Sequence, residues 1–247
     1  ILKKEDVVIH LAALTNAWES FRIPKIYKET NFSNTKFIVE ACSKKKANLI
    51  FMSSTSVYNT KKKVVDENCS VDELKPDTPY SKIKLEEEKL IKFKSKKYNF
   101  NYLILRLGTI AGVSPGMRFH TAVNKFCWQA VYNLPLTIWK NFINVSKPYL
   151  DLKDLNLAMT FLIKNRKYNK TFNLVTNNLT TIELVNIIKK FLPSLKITFE
   201  KKIDLKPNSF LVNNKNINDM HFKFKGNIKK RIFDTISLLK NSNNVKK

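Results

Sequence analysis

At 247 residues with 43% hydrophobic side chains, the chain is long enough to bury a core and too apolar to be disordered. Its formal charge of +25 invites nucleic acid or an anionic surface as partner, yet nearly all the excess is lysine. Arginine, the residue suited to bidentate phosphate and base contacts, stands only at Arg22, Arg106, Arg118, Arg166 and Arg231.

Abundant Lys, Asn and Ile beside only four glycines is the drift of an AT-rich coding sequence, so no specific nucleic-acid reader is predicted. No apolar run approaches the roughly 20 residues of a membrane span, so no membrane partner is predicted either. Cys42, Cys69 and Cys127 are odd in number and form no CxxC pair. They read as reduced thiols of a cytoplasmic protein, with no metal site.

In chain order, Asp6-Val7-Val8-Ile9-His10-Leu11-Ala12-Ala13 is a β-branched strand ending on small residues, which let a flat ligand or another backbone approach. Residues 24–41 have helical spacing, with Asn31 expected to pair with neighbouring backbone. Leu49–Met52 reads as a buried strand, followed by Ser53–Ser56. Hydroxyls just past the C-terminal end of such a strand sit where open α/β sheets take ligands. A helix from Tyr80 to about Lys96 and a strand Tyr102–Leu107, ending in Gly108-Thr109, follow. This alternation predicts a parallel sheet with crossover helices.

After Gly112 the pattern changes. A helix is predicted over Thr121–Tyr132, a short strand over Leu136–Trp139, and a segment Pro148–Leu152 leading into a helix to about Lys164. Then come a strand Phe172–Val175, a capping-box signature Thr180-Thr181-Ile182-Glu183 for a helix to Phe191, a strand Ile197–Phe199 and a last helix Ile228–Leu239. The fold class is α/β. A partial doubly wound parallel sheet covers 1–112, and a smaller mixed α/β substrate domain covers 113–240, with one or more segments returning to the sheet. A polar tail covers 241–247.

Tyr80 and Lys84 are four residues apart, hence one above the other on a helix face. An ammonium beneath a phenol lowers its pKa from about 10 towards neutrality, so the tyrosine can exchange a proton with a substrate hydroxyl. Ser54 supplies a second hydroxyl. The pair alone is equally the start of an amphipathic helix with a solvated lysine. The position of Ser54 at a strand tip favours chemistry.

Read together, Asp6–Ala13, Asn31–Thr35, Ser53–Tyr58, Pro79–Lys84, Leu105–Gly108, Tyr149–Asp154, Phe172-Asn173 and Thr180–Glu183 resemble the extended short-chain dehydrogenase/reductase family. Its members are NAD-dependent nucleotide-sugar epimerases and dehydratases with a Rossmann-like fold, and the resemblance covers almost the whole chain. It implies a catalytic set of Ser54, Tyr80 and Lys84, with Tyr80 as acid/base on the sugar hydroxyl and Lys84 lowering its pKa and bonding the nicotinamide ribose. Leu11, Ala12 and Ala13 would lie along the dinucleotide, with Thr15 and Thr30 nearby and Gly108 by the nicotinamide.

Thr109, His120, Thr121 and Trp139 fall where the family contacts the nucleotide sugar; His120 and Trp139 read equally as cleft packing. Lys147 stands where relatives place an arginine on the pyrophosphate, keeping the charge but losing the bidentate fork. The cofactor implied is NAD, with NADP open, because the residue that reads the ribose 2′ position is missing. Relatives pair through helices, here 24–41 and 80–96, which implies a homodimer.

Two departures follow. The glycines are Gly108, Gly112, Gly116 and Gly226, and none forms G-x-G-x-x-G. With Ile1 in place of an initiator Met, the chain reads as a fragment missing roughly two βα units and binding NAD poorly by itself. Thr55 and Ser56 stand where 4,6-dehydratases carry an Asp-Glu pair, which ranks an epimerase of UDP-sugar 4-epimerase type above a dehydratase. A reductase or dehydrogenase of the same family is the alternative among enzymes. A non-catalytic dinucleotide-binding relative is the alternative of another class.

Overall fold

The computed structural model describes residues 1–200 and 207–244. The chain enters through β1 (Val7–His10), α1 (Glu19–Arg22) and α2 (Pro24–Tyr27), passes a π-helical turn at Lys28–Phe32, and continues as α3 (Ser33–Lys45) into β2 (Asn48–Ser54). The two-residue β3 (Val64–Val65) precedes α4 (Pro79–Tyr98) and β4 (Tyr102–Leu107). The remainder alternates: β5 (Thr109–Ala111), α5 (Ala122–Val131), β6 (Leu136–Trp139), β7 (Ser146–Asp151), α6 (Leu152–Lys164), β8 (Lys170–Leu174), β9 (Asn177–Thr180), α7 (Thr181–Lys189), β10 (Ile197–Glu200), β11 (Leu211–Val212), α8 (Lys215–Asn218) and α9 (Ile228–Asn244).

The main sheet has the order β1-β2-β4-β8 and is parallel throughout. Its layering follows from the two-residue period of strands. Leu49, Phe51 and Ile104 point to one face and pack with Val39, Cys42 and Ile91 of α3 and α4. Ile50, Leu103 and Leu105 point to the other and pack with Leu155, Ala158 and Leu162 of α6. Burial on both faces explains why β2 and β4 read as continuous apolar runs. β1 forms the rim of this sheet, and Val7 and Ile9 on it stay 38% and 41% exposed.

A smaller sheet, β5-β7-β9, is parallel at β5–β7 and antiparallel at β7–β9. Helices α5, α7 and α9 close a second core around Phe126, Cys127, Leu184, Ile188, Ile232 and Ile236.

Three differences from the sequence reading have local causes. Residues 24–41 are not one helix; the π turn coincides with Asn31, whose amide is drawn in to both backbone groups of Leu14 (2.8 and 2.9 Å). Pro148-Tyr149-Leu150 belongs to a strand, because Tyr149 and Leu150 are buried between β5 and β9. The last helix continues to Asn244, so the tail begins later than expected, and residues 245–247 lie outside the described residues.

Candidate active site

The tips of β1, β2 and β4 and the start of α4 converge at the C-terminal edge of the main sheet. Ser54 ends β2 and caps a 3-10 turn: its Oγ accepts the Ser56 backbone N–H (3.1 Å) and pairs with the Ser56 hydroxyl (2.8 Å). Thr78 caps α4 in a box with Ser81, and Pro79 occupies the first turn, where its missing N–H costs nothing. Tyr80 is thereby placed in the first turn, and its backbone N–H donates to the buried Ser20 hydroxyl of α1 (3.1 Å).

The Ser54 hydroxyl lies against the Tyr80 phenol. Burial raises the phenol's pKa, the Glu87 carboxylate and Tyr27 raise it further, and Ser54 and the Arg118 cation pull it down. Burial and Glu87 thus act against the lowering that the sequence reading expected from Lys84.

Lys84, one turn further along the same helix, is enclosed by protein. It is 3% exposed, its Nζ sits 3.2 Å from Glu87 Oε2 and 4.5 Å from the centre of the Phe51 ring. Burial lowers its pKa, and Glu87 acts in the opposite sense.

Beneath this level, Arg106 makes a two-pronged pair with Glu88 (2.9 and 2.6 Å), and Glu88 also accepts from the Ser53 hydroxyl (2.6 Å). Arg106 further donates to Tyr58 (2.7 Å), whose hydroxyl donates to Asn173 (2.9 Å). These buried groups bind α4, β2, β4 and β8 together one residue away from Ser54.

Leu11 and Ala12 are exposed and Ala13 half-buried, an open strip of small or apolar groups just beyond β1. Thr15 is half-buried and its Oγ1 accepts from Arg118 (2.8 Å); Thr30 lies in the π turn. Gly108 has a packing reason of its own: a Cβ there would come 3.0 Å from the Pro148 carbonyl oxygen. Thr109 pairs with Tyr149 in the smaller sheet.

His120 is exposed near Arg118 and Glu19; burial, then Arg118, lowers its pKa. The Thr121 hydroxyl donates to the Arg118 carbonyl (3.3 Å). Trp139 packs edge-on against Trp18 (5.1 Å) and against Phe142 (5.4 Å), whose ring lies 5.9 Å from Lys147 Nζ. Trp18, Tyr27, Glu87 and Arg118 were not singled out in the sequence. Glu87 sits in the run Glu86-Glu87-Glu88, which carries the pattern of a solvated helix face. Among the described residues no cluster of His, Cys, Asp and Glu suits a metal ion, and no helix is long and apolar enough to cross a membrane.

Residues 1–174 match the family described as NAD dependent epimerase/dehydratase. The chain belongs to that family.

Relatives of this epimerase/dehydratase-family chain include an uncharacterized UDP-glucose epimerase of Bacillus subtilis (strain 168), 32% identical over 145 residues, 56% of this chain and 43% of that protein. A dTDP-D-glucose 4,6-dehydratase of Dictyostelium discoideum is 27% identical over 185 residues, 71% of this chain and 42% of that protein. The matched stretch thus spans less than half the length of either curated relative.

Among solved structures, UDP-glucuronic acid 4-epimerase from Bacillus cereus, in complex with UDP-glucuronic acid and NAD, superposes with a TM-score of 0.86 at 22% identity, over 96% of this chain and 76% of the other. UDP-glucose 4-epimerase from Thermotoga maritima, with UDP-glucose, superposes with a TM-score of 0.83 at 18% identity, over 96% and 78%. At these identities the likeness establishes the Rossmann-like α/β fold.

Proposed function

We propose that this chain carries the catalytic part of an NAD-dependent nucleotide-sugar epimerase acting at C4 of a UDP-sugar. The carrying observation is the pairing of the Ser54 and Tyr80 hydroxyls at the β2 tip, with Lys84 one turn further along the same helix. Family membership and the UDP-sugar epimerases among its relatives and structural neighbours support the reading.

The open strip Leu11–Ala13 suits the flat part of a dinucleotide, with Thr15, Thr30 and Gly108 around it, while no glycine-rich turn is present for the pyrophosphate. NAD, when bound, supplies the acceptor and donor of the hydride. Tyr80 takes the proton of the sugar hydroxyl and returns it, Ser54 orients that oxygen, and Lys84 and Arg118 supply the positive field that a phenolate requires. Thr109, His120, Thr121, Trp139 and Lys147 are assigned to contacts with the nucleotide sugar. Thr55 donates to the Leu107 carbonyl (3.1 Å) and Ser56 pairs with Ser54, so no carboxylate stands where a dehydratase needs one. Ile26, Phe37 and Phe93, exposed on α2 to α4, support the homodimer reading.

The test is C4 interconversion, read by NMR, with the protein, NAD and a panel of UDP-sugars. Tyr80→Phe lowers turnover by roughly 10²- to 10⁴-fold. Absence of interconversion with every common nucleotide sugar, at NAD concentrations where binding of the cofactor is seen, discards the epimerase. A reductase is the second reading, supported by an Arabidopsis thaliana relative, 26% identical, whose named activities include a UDP-4-keto-L-rhamnose-reductase. Net consumption of NADH distinguishes it.

A further inference from the structure

Four buried groups run in line from the main sheet's rim to the catalytic lysine. His10, the last residue of β1, is 8% exposed; Thr35 and Glu87 are 0% exposed and Lys84 3%. His10 Nε2 lies 3.0 Å from Thr35 Oγ1, and Thr35 Oγ1 donates to Glu87 Oε1 at 2.5 Å. A threonine hydroxyl has one proton. Since it goes to Glu87, Thr35 can only accept from His10, which fixes the proton of the imidazole on Nε2. The string is therefore polarised in one direction and ends on an anion. Glu87 Oε2 makes no hydrogen bond among the described residues and meets Lys84 Nζ as an ion pair at 3.2 Å. An isolated buried ammonium would discharge, and an isolated buried carboxylate would protonate. Each favours the charged form of the other against the effect of burial.

We propose that Glu87 is a positioning residue of the active site: its carboxylate fixes the place and charge of Lys84, and the hydrogen bonds from His10 through Thr35 fix the carboxylate. The consequence for turnover rests on the epimerase reading; the electrostatic consequence does not. Facing Lys84 are Glu87 and Glu88 from its own helix, the Phe51 ring from β2 and His10 from β1. Facing Glu87 are Lys84 and Glu88 from α4 and Thr35 from α3. Glu87 is the carboxylate that meets Lys84 as an ion pair, so neutralising it makes the ammonium easier to discharge.

The experiment uses the whole chain with Glu87→Gln, which keeps the shape and an acceptor for Thr35. The Lys84 ammonium is titrated by NMR of the lysine-labelled chain, its signal assigned against Lys84→Met. The midpoint falls by about one pH unit or more when the negative charge is removed. A second variant, Thr35→Val, leaves the carboxylate but removes its donor. Glu87 then carries less charge, and the midpoint falls by a smaller amount. If Glu87→Gln does not fold, Thr35→Val decides. An unchanged or raised midpoint overturns the proposal.

If the protein turns over a nucleotide sugar, Glu87→Gln also lowers kcat about tenfold or more with KM little changed. That loss disappears on a Lys84→Met background, because Glu87 acts through Lys84. A loss of equal size on that background overturns the positioning role. Should no substrate turn over, the epimerase reading fails, while the Lys84 titration still decides this proposal.

Discussion

Gly226 shows how tightly one residue can be specified. Its N–H donates to both oxygens of Asp154 (2.9 and 3.0 Å), and a Cβ there would sit 2.4 Å from Asp151 Cβ and from Asp154 Oδ2. Asp151 and Asp154 are 1% and 0% exposed, so neither can swing aside into water. They also accept from the backbone of Lys225 and Asn227, which ties the segment before α9 to the start of α6. Gly226→Ala forces that bridge apart at a cost of about 1–3 kcal/mol or more. The urea midpoint should drop accordingly, and an unchanged midpoint would refute the overpacking argument. In the sequence this glycine is one of four with no motif around it. Its role depends on two aspartates some 70 positions earlier, which no local pattern exposes.

At the scale of elements, helix α4 presents two neighbouring carboxylates inward. Glu88 meets Arg106 through both oxygens, the two side chains being 1% and 2% exposed. Burying two charges gains little against an apolar pair, but removing one leaves the other stranded. Glu88→Ala should cost roughly 3–5 kcal/mol by urea denaturation, and replacing both, Glu88→Met with Arg106→Leu, should recover much of it. A single variant as stable as the double one would show that the pair does not fasten the helix.

Helix α4 also shows what sequence reading reaches. Ser54 at a strand tip and Tyr80 at a helix start were legible, because apolar runs, Pro79 and the Thr78 cap are local signals. The inward turn of Glu87 and Glu88 was not, since acidic runs on helices are ordinarily solvated. Strands β5, β7 and β9 were missed for a related reason. They are 3, 6 and 4 residues long, and β7 contains a proline, so pairing with distant partners defines them rather than propensity.

At the scale of the molecule, the charge of +25 is mostly unneutralised. Surface pairs such as Lys25–Glu29 (4.0 Å) and Lys28–Glu86 (3.6 Å) join well-exposed side chains and contribute little. Lysine repulsion then opposes compaction, and dissolved salt screens it. Raising NaCl from about 0.02 to 0.3 M should lift Tm by roughly 2–4 °C, the equivalent of about 1 kcal/mol for a chain of this size. A Tm that is flat or falls with salt would show that attractive pairs dominate instead. Retention on DNA should fade over the same range, as expected of nonspecific attraction to phosphates.

The rim strand β1 carries one more implication. Among the described residues no strand pairs with its outer side, and Val7 and Ile9 beside it stand partly in water. Such a flank is a template on which a second backbone can lay itself down. Concentrated solutions of this polypeptide should therefore thicken into β-rich assemblies with time. A lysine placed at Ile9 would slow that growth while leaving the interior of the sheet untouched.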